Sequence, residues 1–482
     1  MADPKIAMRL VCLALLCVLA YASLISLPLF EDDYPILTQA RTAWSAGGAF
    51  GVLHDPIFRV RATTYWAMIL LWHVFGVRGA GYHLASLALH IANTWLVFAV
   101  CRKLPRIQPA AFWAAAFFAV AEGHQEAIVW FTAINELWQF FFGACALWCW
   151  LQAASGRRVR LAQALGVAAF ALALLSKESA IIWLPALVAT APWSRWRRAL
   201  ILLAPYLALA VLAVVSIAAT RAYSFRFSDG SFSLAAPFWI TWPRGISRIL
   251  WIWGFVAGAL LFRYRRERDL WMPAAAALAW IAVGLAPYSF LTYSTQIPSR
   301  QTYLASAGLA VLVGLATARL FREGPGGRRI AVALLALMVV HNAGYLWTKK
   351  RAQFVERARP TEQLIAFARS ASGPIWVRCF PLSRFTAEEA VRLAAGREPS
   401  SLVWSADEAA RVRAAEFCYV ARTGQQPEGV APACRLRDSV QAHTMSGGNV
   451  WIRASMRDRI SATVAGFLSL RSWLSSGSIV RL

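Results

Sequence analysis

The chain of 482 residues is 59% hydrophobic and only 15% charged. Soluble domains are about half apolar and about a quarter charged, so this composition excludes a protein built on one large soluble core. The formal net charge of +25 would by itself suggest a nucleic-acid partner. The positions of the basic residues along the chain, given below, indicate a membrane topology signal instead.

Apolar runs close to membrane-spanning length follow one another as far as residue 347. A helix of about 20 residues crosses a hydrocarbon layer about 30 Å thick, and the sequence therefore predicts about eleven transmembrane helices. The first run is too long, and its end too acidic, for a cleaved signal peptide, so we expect it to remain as a span. The predicted spans cover residues 7–30, 79–100, 109–124, 130–152, 161–176, 179–191, 199–219, 245–262, 271–290, 301–318 and 330–347.

The Arg residues concentrate in the short segments between alternate predicted spans. By the positive-inside rule these segments are cytoplasmic, which places the N-terminus in the cytoplasm and residues 351–482 outside. We expect a multi-pass protein of a bacterial inner membrane, surrounded by membrane lipid, with a periplasmic C-terminal domain and no nucleic-acid partner. The clusters contain Arg102, Lys103 and Arg106; Arg157, Arg158 and Arg160; Arg195, Arg197 and Arg198; Arg263, Arg265, Arg266 and Arg268; and Arg319, Arg322, Arg328 and Arg329.

Two exterior stretches are long enough to hold structure of their own. The first, residues 31–78, contains apolar residues at helical spacing over 36–44 and again over 65–75. This spacing predicts two amphipathic helices that lie along the membrane surface. We therefore expect an all-α polytopic membrane domain over residues 1–350, with amphipathic helices in its first loop.

The second exterior stretch, residues 351–482, has the composition of an ordinary soluble domain. Its pattern predicts strands over 374–380, 416–422 and 449–455 and helices over 386–396 and 406–417, hence a small α/β domain. An oxidising exterior permits a disulfide here. Cys418 and Cys434 are the favoured pair, which leaves Cys379 unpaired.

Clustered carboxylates mark the point where the first span leaves the membrane. The sequence "LPLFEDDYPIL" places Glu31, Asp32 and Asp33 together at the exterior face. Neighbouring carboxylates raise one another's pKa, which suits one of them to act as a base or to share a cation. The alternative interpretation is a solvated loop that begins with a helix N-cap.

Two short exterior turns add further charged residues. "EGHQEAIVW" carries His124 and Glu126, and "LLSKESAIIW" carries Lys177 and Glu178 within an otherwise apolar stretch. Charges at such positions are costly unless they are paired or functional. Lys177 is either a phosphate ligand or the partner of its neighbour Glu178.

The loop before the tenth predicted span, "STQIPSRQTYLASAG", contains Arg300 and, one helical turn later, Tyr303. A guanidinium there suits two-point binding of a phosphate. The alternative is that Arg300 only anchors a helix at the membrane interface. Together, the turns and loops place carboxylates and cations on one membrane face.

Several of these segments resemble GT-C membrane glycosyltransferases, and most closely the TMTC-type O-mannosyltransferases and their bacterial relatives. "EDDYPIL" is similar to the acidic first-loop motif of that family, and "HQEAIVW", "LLSKESAIIWLP" and "SRQTYLASAG" are similar to later motifs in the same order. The tail contains no tetratricopeptide repeats. The matching positions around the second span are Arg59, Gly81, His83, Leu84, His90 and Asn93.

The resemblance implies a transferase that uses a polyprenyl-phosphate-linked sugar as donor and a protein, lipid or glycan as acceptor. Acidic first-loop residues would deprotonate the acceptor, and loop cations would hold the donor phosphate. We expect Asp32, then Asp33, to be the base, and Arg300, Lys177 and Tyr303 to bind the phosphate. Arg59, His83, His124, Glu126 and Glu178 would line the site.

The chemistry agrees with that expectation. A phosphate leaving group is already a stable anion and needs electrostatic stabilisation more than an acid, whereas the acceptor hydroxyl needs a base. A single displacement with inversion follows. The residue pattern identifies no cofactor and leaves open whether a divalent metal such as Mg²⁺ or Mn²⁺ takes part; Asp32, Asp33 and Glu126 are the candidate ligands for one.

Two other functions stay open at this stage. A polysaccharide polymerase or ligase is also polytopic, but it usually has a large exterior loop late in the membrane region. A lipid-linked-sugar flippase or transporter typically shows inverted repeats and charges near the middle of the bilayer. In this sequence the long loop between spans is the first one, and neither inverted repeats nor charges near the middle of the bilayer are evident.

Overall fold

The computed structural model describes residues 3–55, 58–220, 231–292 and 295–420. Its first half is a bundle of apolar helices joined by short turns. Pro4 opens the first helix, since a proline at this position lacks an N–H that would be unsatisfied anyway. The helices are α1 Pro4–Tyr21, α2 Asp33–Ser45, α3 Gly48–His54, α4 Ala62–Phe75, α5 Gly79–Lys103, α6 Ala111–Val120, α7 Gln125–Val129, α8 Asn135–Ala154, α9 Val159–Leu174 and α10 Trp183–Ala189.

The second half continues the bundle and then leaves it. Short 3₁₀ turns at Glu122–His124, Glu178–Ile182 and Ser299–Thr302 connect helices on the side that carries the first loop. The helices are α11 Trp196–Thr220, α12 Phe238–Leu250, α13 Trp253–Arg263, α14 Arg268–Leu285, α15 Tyr303–Phe321, α16 Pro325–Tyr345, α17 Arg351–Ser370, α18 Arg384–Ala390 and α19 Ala406–Val412.

The apolar helices coincide with the predicted spans. Within the described ranges, seven helical segments are long and apolar enough to cross a membrane, or eight if the bent pair α12 and α13 is one span. Three further apolar helices, at Gln108–Val120, Val159–Leu174 and Glu178–Ala189, are shorter. The chain is thus a multi-pass membrane protein. The count of about eleven spans stays a prediction, because these shorter helices lack the usual spanning length.

Helix α15 lies at the centre of the bundle. The segment Ser299–Phe321 buries 78% of its most apolar stretch inside the protein, whereas Trp193–Ala219 buries only 22% and presents the rest to lipid. Small residues allow the close packing. A side chain in place of Gly314 would lie 2.7 Å from the backbone nitrogen of Ala114 on α6.

The bent pair contains a sharp break. Helices α12 and α13 are inclined by 73° to each other, and Ile252 at the break has φ 58°. A β-branched residue rarely adopts positive φ, so the surrounding structure imposes this conformation. The break leaves Trp251 68% exposed on the outside of the bundle.

The first loop forms the two predicted helices, α2 and α4. Helix α2 buries Tyr34, Leu37 and Ala40 against the bundle, as expected for an amphipathic helix. Helix α4 differs, since its outward residues Leu70 and Val74 are apolar and are 65% and 63% exposed. Its outer side therefore suits lipid rather than water.

The C-terminal part is a small α/β unit, as predicted. Parallel strands β1 Ile375–Cys379, β2 Leu402–Val403 and β3 Ala415–Cys418 form a sheet in the order β2-β1-β3. Of the predicted strands, the one over 449–455 lies outside the described residues. The predicted helix over 406–417 ends at Val412, because Arg413 adopts the left-handed conformation and turns the chain into β3.

The proposed boundary at residue 350 falls inside a continuous helical segment. A single π-helical stretch, Leu346–Lys350, joins α16 to α17, and the helical segment extends over Pro325–Ser370. The α/β unit also contacts the first loop, where the Thr38 hydroxyl donates to Glu389 Oε2 at 2.6 Å. The division into two domains remains a proposal.

The predicted disulfide between Cys418 and Cys434 is wrong. Cys379 is bonded to Cys418, because the parallel pairing of β1 and β3 places these two residues opposite each other. Their Cα atoms are 4.6 Å apart, a separation that suits a disulfide. Cys434 lies outside the described residues.

Candidate active site at the carboxylate cleft

Asp33 fastens the first loop to the bundle. Its carboxylate is 2% exposed and accepts hydrogen bonds from the backbone N–H and the hydroxyl of Thr132, both at 2.8 Å. The backbone N–H of Phe30 is a third donor, at 3.2 Å. These bonds occupy both oxygens, which fits an anchoring carboxylate better than a freely available base.

The two neighbouring aspartates have different surroundings. Burial raises the pKa of Asp33 to about 7, although the hydrogen bonds from Thr132 and Phe30 oppose the shift. The Asp32 side chain is exposed. Its pKa is also raised, first because neighbouring protein atoms remove part of the water around the carboxylate and then because of the Glu31 charge. The charges of Arg300 and Arg357 oppose the shift. Asp32 is the aspartate that a substrate can reach.

Two arginines and two glutamates are grouped around the Trp130 ring. The backbone N–H of Arg300 donates to Glu126 Oε2 at 3.2 Å, and its guanidinium lies 3.6 Å from the same oxygen. Arg357 forms a two-point contact with Glu31, at 2.8 and 2.5 Å. Both guanidinium carbons lie 4.6 Å from the centre of the Trp130 ring. The carboxylate cleft is defined here as Glu31, Asp32, Asp33, Glu126, Arg300 and Arg357.

Charge pairing keeps Glu126 ionised. Burial would raise its pKa, but the Arg300 charge, hydrogen bonds from Ser299 and Arg300, and the Arg357 charge together lower the pKa below its ordinary value. Arg357 itself lies 3.9 Å from Glu126 Oε1. The cleft thus holds fixed, mutually compensating charges beside the accessible Asp32.

Arg357 was not among the residues predicted for the site. It lies on α17, beyond the predicted end of the membrane domain, and it reaches the cleft only because α17 continues the last long apolar helix. Its spacing of seven residues from Lys350 places both side chains on one face of a helix. That spacing is the one signal that could have linked the two cations.

Lys177 pairs with Glu136 rather than with its neighbour. The Lys177 ammonium contacts Glu136 Oε1, and both residues are 2% exposed. The Tyr288 hydroxyl donates to the other Glu136 oxygen at 3.1 Å. Glu178 instead lies 3.6 Å from Arg61. Of the two alternatives for Lys177, pairing with Glu178 is therefore not observed, since Glu136 is its carboxylate partner.

Lys177 does border a cavity, separate from the carboxylate cleft. This cavity of about 210 Å³ is also lined by Glu178, Ser179, Phe232 and Tyr288. A role for Lys177 at the donor phosphate stays a prediction. Its ammonium is already neutralised by Glu136, and that reduces its attraction for a further anion.

His124 and Tyr303 lie inside the bundle and not on the cleft surface. The Tyr303 hydroxyl is 2.8 Å from His90 Nδ1 and accepts from the Asn93 amide at 3.2 Å. His124 Nε2 is 2.6 Å from the Ser306 hydroxyl. Both residues are fully buried. These contacts support a packing role for Tyr303 and give no support to phosphate binding by it.

Arg59 and His83 are also placed away from the cleft. Arg59 donates to the Ser216 carbonyl at 3.4 Å, which ties the first loop to α11. His83 is 1% exposed on α5, beside the backbone of Leu27 and Pro28. Both positions brace the first loop, so their assignment as site-lining residues has no direct support from these contacts.

A second cavity, the basic pocket, adjoins the cleft. It has a volume of about 290 Å³ and lies between the break of α12 and α13 and the end of the last long helix. Ser299 and Thr302 line it, while the intervening Arg300 side chain belongs to the cleft. Its polar and charged lining includes Glu122, His124, Gln125, Arg248, His341, Asn342 and Lys350. Sequence reasoning missed Arg248 and Lys350.

The residues named for a divalent metal do not form a ligand set. In the described part of the chain, no group of three or more His, Cys, Asp or Glu side chains is placed to hold a metal ion. Asp33 directs its oxygens to Thr132 and Phe30, and Glu126 directs its oxygens to the arginines. No step below depends on a metal.

This chain is similar in fold to solved structures of other proteins. No protein-family model matches this sequence, and no curated protein matches it. The crystal structure of ArnT from Cupriavidus metallidurans bound to undecaprenyl phosphate is 17% identical, with a TM-score of 0.46, over 86% of this chain and 90% of that chain.

An archaeal oligosaccharyltransferase is similar too. The Archaeoglobus fulgidus enzyme tethered with an acceptor peptide is 14% identical, with a TM-score of 0.49, over 82% of this chain and 64% of that chain. The same enzyme, AglB, in complex with an inhibitory peptide and a dolichol-phosphate is 13% identical, with a TM-score of 0.49, over 81% and 63%. A functional assignment therefore has to rest on this chain's own residues.

We expect Asp33 to make stability depend on pH. Because its pKa is about 7 in the folded protein and 3.8 ordinarily, the folded state binds the proton more tightly. This contribution to stability is full below about pH 3.8, falls as the pH rises to about 7, and is constant above that. Thermal unfolding in detergent between pH 5 and 8 should show a smaller fall for Asp33→Asn. The exposed control Asp407→Asn should keep the wild-type slope, and equal slopes in all three proteins would refute the assignment.

The buried pair gives a second prediction. Lys177→Met should destabilise the protein by about 3–5 kcal/mol, because it leaves Glu136 charged and unpaired. Adding Glu136→Gln should restore most of the thermal stability, whereas adding Glu178→Gln should not. Rescue by Glu178→Gln alone would show that the pairing described above is incorrect. Donor binding by the folded double variant then tests a role for Lys177 at the phosphate.

Proposed function

We propose that this protein is a GT-C-type membrane glycosyltransferase, which transfers a sugar from a polyprenyl-phosphate donor to an acceptor hydroxyl. The observation that carries the proposal is the carboxylate cleft. An accessible aspartate, Asp32, lies beside two arginines at one end of an apolar helical bundle. A lipid-linked donor requires a site at a membrane face, and the arginines suit an anionic leaving group.

Asp32 is the proposed base. The acceptor hydroxyl gives its proton to an Asp32 oxygen while the hydroxyl oxygen forms a bond to the anomeric carbon of the donor sugar. The bond between that carbon and the phosphate oxygen breaks, and the electron pair leaves with the phosphate. Attack from the side opposite the phosphate inverts the anomeric centre. The raised pKa of Asp32 favours proton acceptance near neutral pH.

Arg300 is the proposed cation nearest the leaving group. Its backbone position in Ser299–Thr302 lies between the cleft and the basic pocket, and its pairing with Glu126 fixes the guanidinium. Negative charge that develops on the phosphate is stabilised by such a preorganised cation. The proposed carrier belongs to the class of lipid named for two structural neighbours, undecaprenyl phosphate and dolichol-phosphate.

The proposal also covers the side of the membrane and the acceptor. By the positive-inside rule the Arg-rich segments are cytoplasmic, which supports our proposal that the cleft lies on the exterior side, the periplasmic side of a bacterial inner membrane. The open side of Asp32 admits a hydroxyl from a protein, a lipid or a glycan. The contact of Thr38 with Glu389 brings the α/β unit to the first loop, so this unit can form part of the acceptor surface.

The proposed base is tested by Asp32→Asn, which removes the proton acceptor with almost no change in shape. Transfer from a polyprenyl-phosphate sugar should fall by about 10² or more, on the scale of losing a general base. Released polyprenyl phosphate, measured with purified protein and a panel of such donors, reports turnover. The exposed control Asp407→Asn should remain active. Wild-type turnover by Asp32→Asn would exclude this residue as the base.

The role of Arg300 is tested by Arg300→Lys. An ammonium cannot reproduce a planar two-point contact, so we expect kcat to fall about tenfold or more while the protein stays folded. A residue that only anchors a helix would tolerate lysine, and Arg244→Lys on the exposed side of α12 provides that control. Full activity of Arg300→Lys would remove Arg300 from the proposed phosphate contacts.

A further inference from the structure

The cations around the cleft differ in how far they are neutralised. Arg300 and Arg357 lie beside Glu126 and Glu31, and Lys177 lies beside Glu136. A cation that already has a carboxylate partner gains less from a phosphate than one that has none. The strongest anion site should therefore lie where cations lack a carboxylate partner.

Two cations without a close carboxylate partner, Arg248 and Lys350, line the basic pocket. Arg248, one turn before the break, donates to the Ile297 carbonyl at 2.8 Å, and Lys350 donates to the Gln353 side-chain carbonyl at 2.9 Å. Within the described residues, neither side chain lies within 4.0 Å of a carboxylate oxygen. Their hydrogen-bond partners are neutral. The Glu122 carboxylate interacts with both charges from farther away, so two cations share one carboxylate and a net positive charge remains for an anion.

Buried polar groups in the same pocket also lack partners. Trp253 Nε1 and His124 Nδ1 have no hydrogen-bond partner among the described residues. Trp253 is 7% exposed and His124 is fully buried, and both line the pocket. Buried donors are normally satisfied, so the Trp253 N–H indicates a missing acceptor. His124 Nδ1 is itself an acceptor, because Nε2 donates to the Ser306 hydroxyl, whose own proton is donated to the Tyr303 carbonyl. An indole N–H can donate to a phosphate oxygen.

The pocket adjoins an apolar surface. At the break, Trp251 is 68% exposed and Phe255 on α13 is 59% exposed, and Trp251 also lines the pocket. The strained Ile252 holds the two helix halves apart at this point. A charged pocket with an apolar surface beside it matches a phosphate that is attached to a hydrocarbon chain.

We propose that the basic pocket binds the single phosphate of the lipid carrier, with Arg248 and Lys350 as its ligands and the Trp253 indole as a further donor. This inference rests on the proposed function and adds the residues that bind the carrier and the number of phosphates that they accept. The pocket also contains Glu122, whose carboxylate repels additional negative charge. Two cations and one carboxylate favour a monophosphate over a diphosphate, which carries more charge.

Position links this pocket to the reaction. Ser299 and Thr302 line the pocket while the Arg300 side chain between them lies in the cleft. Lys350 and Arg357 occupy the same side of one continuous helical segment, seven residues apart. A phosphate in the pocket is therefore next to the cleft that contains Asp32.

Binding of decaprenyl phosphate to the full-length purified protein tests the assignment. Arg248→Gln and Lys350→Gln should each weaken binding about tenfold or more, since hydrogen bonds to charged groups contribute at that level. The matched controls Arg244→Gln and Lys349→Gln, one turn away and adjacent, should bind as the wild type does. A thermal unfolding midpoint within a few degrees of wild type confirms that each variant is folded. The variant Lys350→Arg keeps the positive charge and should therefore retain binding of decaprenyl phosphate.

The outcomes separate the pocket from the function. If the wild type binds decaprenyl phosphate and both Gln variants bind equally well, the pocket assignment is overturned and the proposed function stands. If the wild type binds no decaprenyl phosphate and turns over no donor in the panel, the proposed function fails with it. Weakened binding in both variants, with unchanged binding in both controls, supports the pocket.

Competing ligands identify the chemical class. Decaprenyl diphosphate should compete at least tenfold less well than decaprenyl phosphate, and Glu122→Gln should reduce that difference. Equal competition by the diphosphate would overturn the monophosphate assignment. Displacement of the probe by inorganic phosphate, or by phosphatidylglycerol in mixed micelles, at equal concentration would show a general phosphate site and would overturn the lipid-carrier assignment.

Discussion

The buried carboxylate of Asp33 is the interaction on which the site depends. A charge in a low-dielectric setting is costly unless hydrogen bonds compensate it, and Asp33 receives donors from Thr132 on one segment and Phe30 on another. These bonds fix the start of α2 against the turn before α8. Successive residues on a helix point about 100° apart, so anchoring Asp33 leaves Asp32 directed outward. Two adjacent aspartates thereby differ: Asp33 is buried and hydrogen-bonded, whereas Asp32 is exposed and is the one we propose as the base.

Charge compensation then separates the cleft from the basic pocket. In the cleft, Glu31 and Glu126 face Arg300 and Arg357, an arrangement that holds a precise geometry but has little net attraction for an anion. In the pocket, Lys350 keeps a neutral partner. The proposed transfer at a sugar–phosphate bond needs both properties, because the base must be positioned and the leaving phosphate must be bound. The two requirements are met by neighbouring but distinct groups of residues.

The sequence predicted the helical membrane fold and the small sheet, because span length and strand patterns are local properties. It also brought together Asp32, Glu126 and Arg300, which lie at helix ends on one face. It failed where tertiary contacts decide: the partner of Lys177 is Glu136, 41 residues away in sequence, and parallel strand pairing joins Cys379 to Cys418. Arg357 was missed for the same reason, since it enters the cleft from beyond the last predicted span. The partner of a buried charge is set by tertiary contacts, so it cannot be inferred from the neighbouring residues in the sequence.

The continuous helical segment Pro325–Ser370 joins the membrane-spanning bundle to the α/β unit without a linker. Lys350 reaches the basic pocket and Arg357 reaches the cleft from one helix face, with the π-helical stretch Leu346–Lys350 setting their direction. A helix of fixed rise and rotation holds two such cations at a constant separation. The same segment leads directly to the α/β unit, whose Glu389 holds the first-loop helix through Thr38. The C-terminal part thus contacts the first loop just before α2, through Arg357 and Glu31, and in the middle of α2, through Glu389 and Thr38.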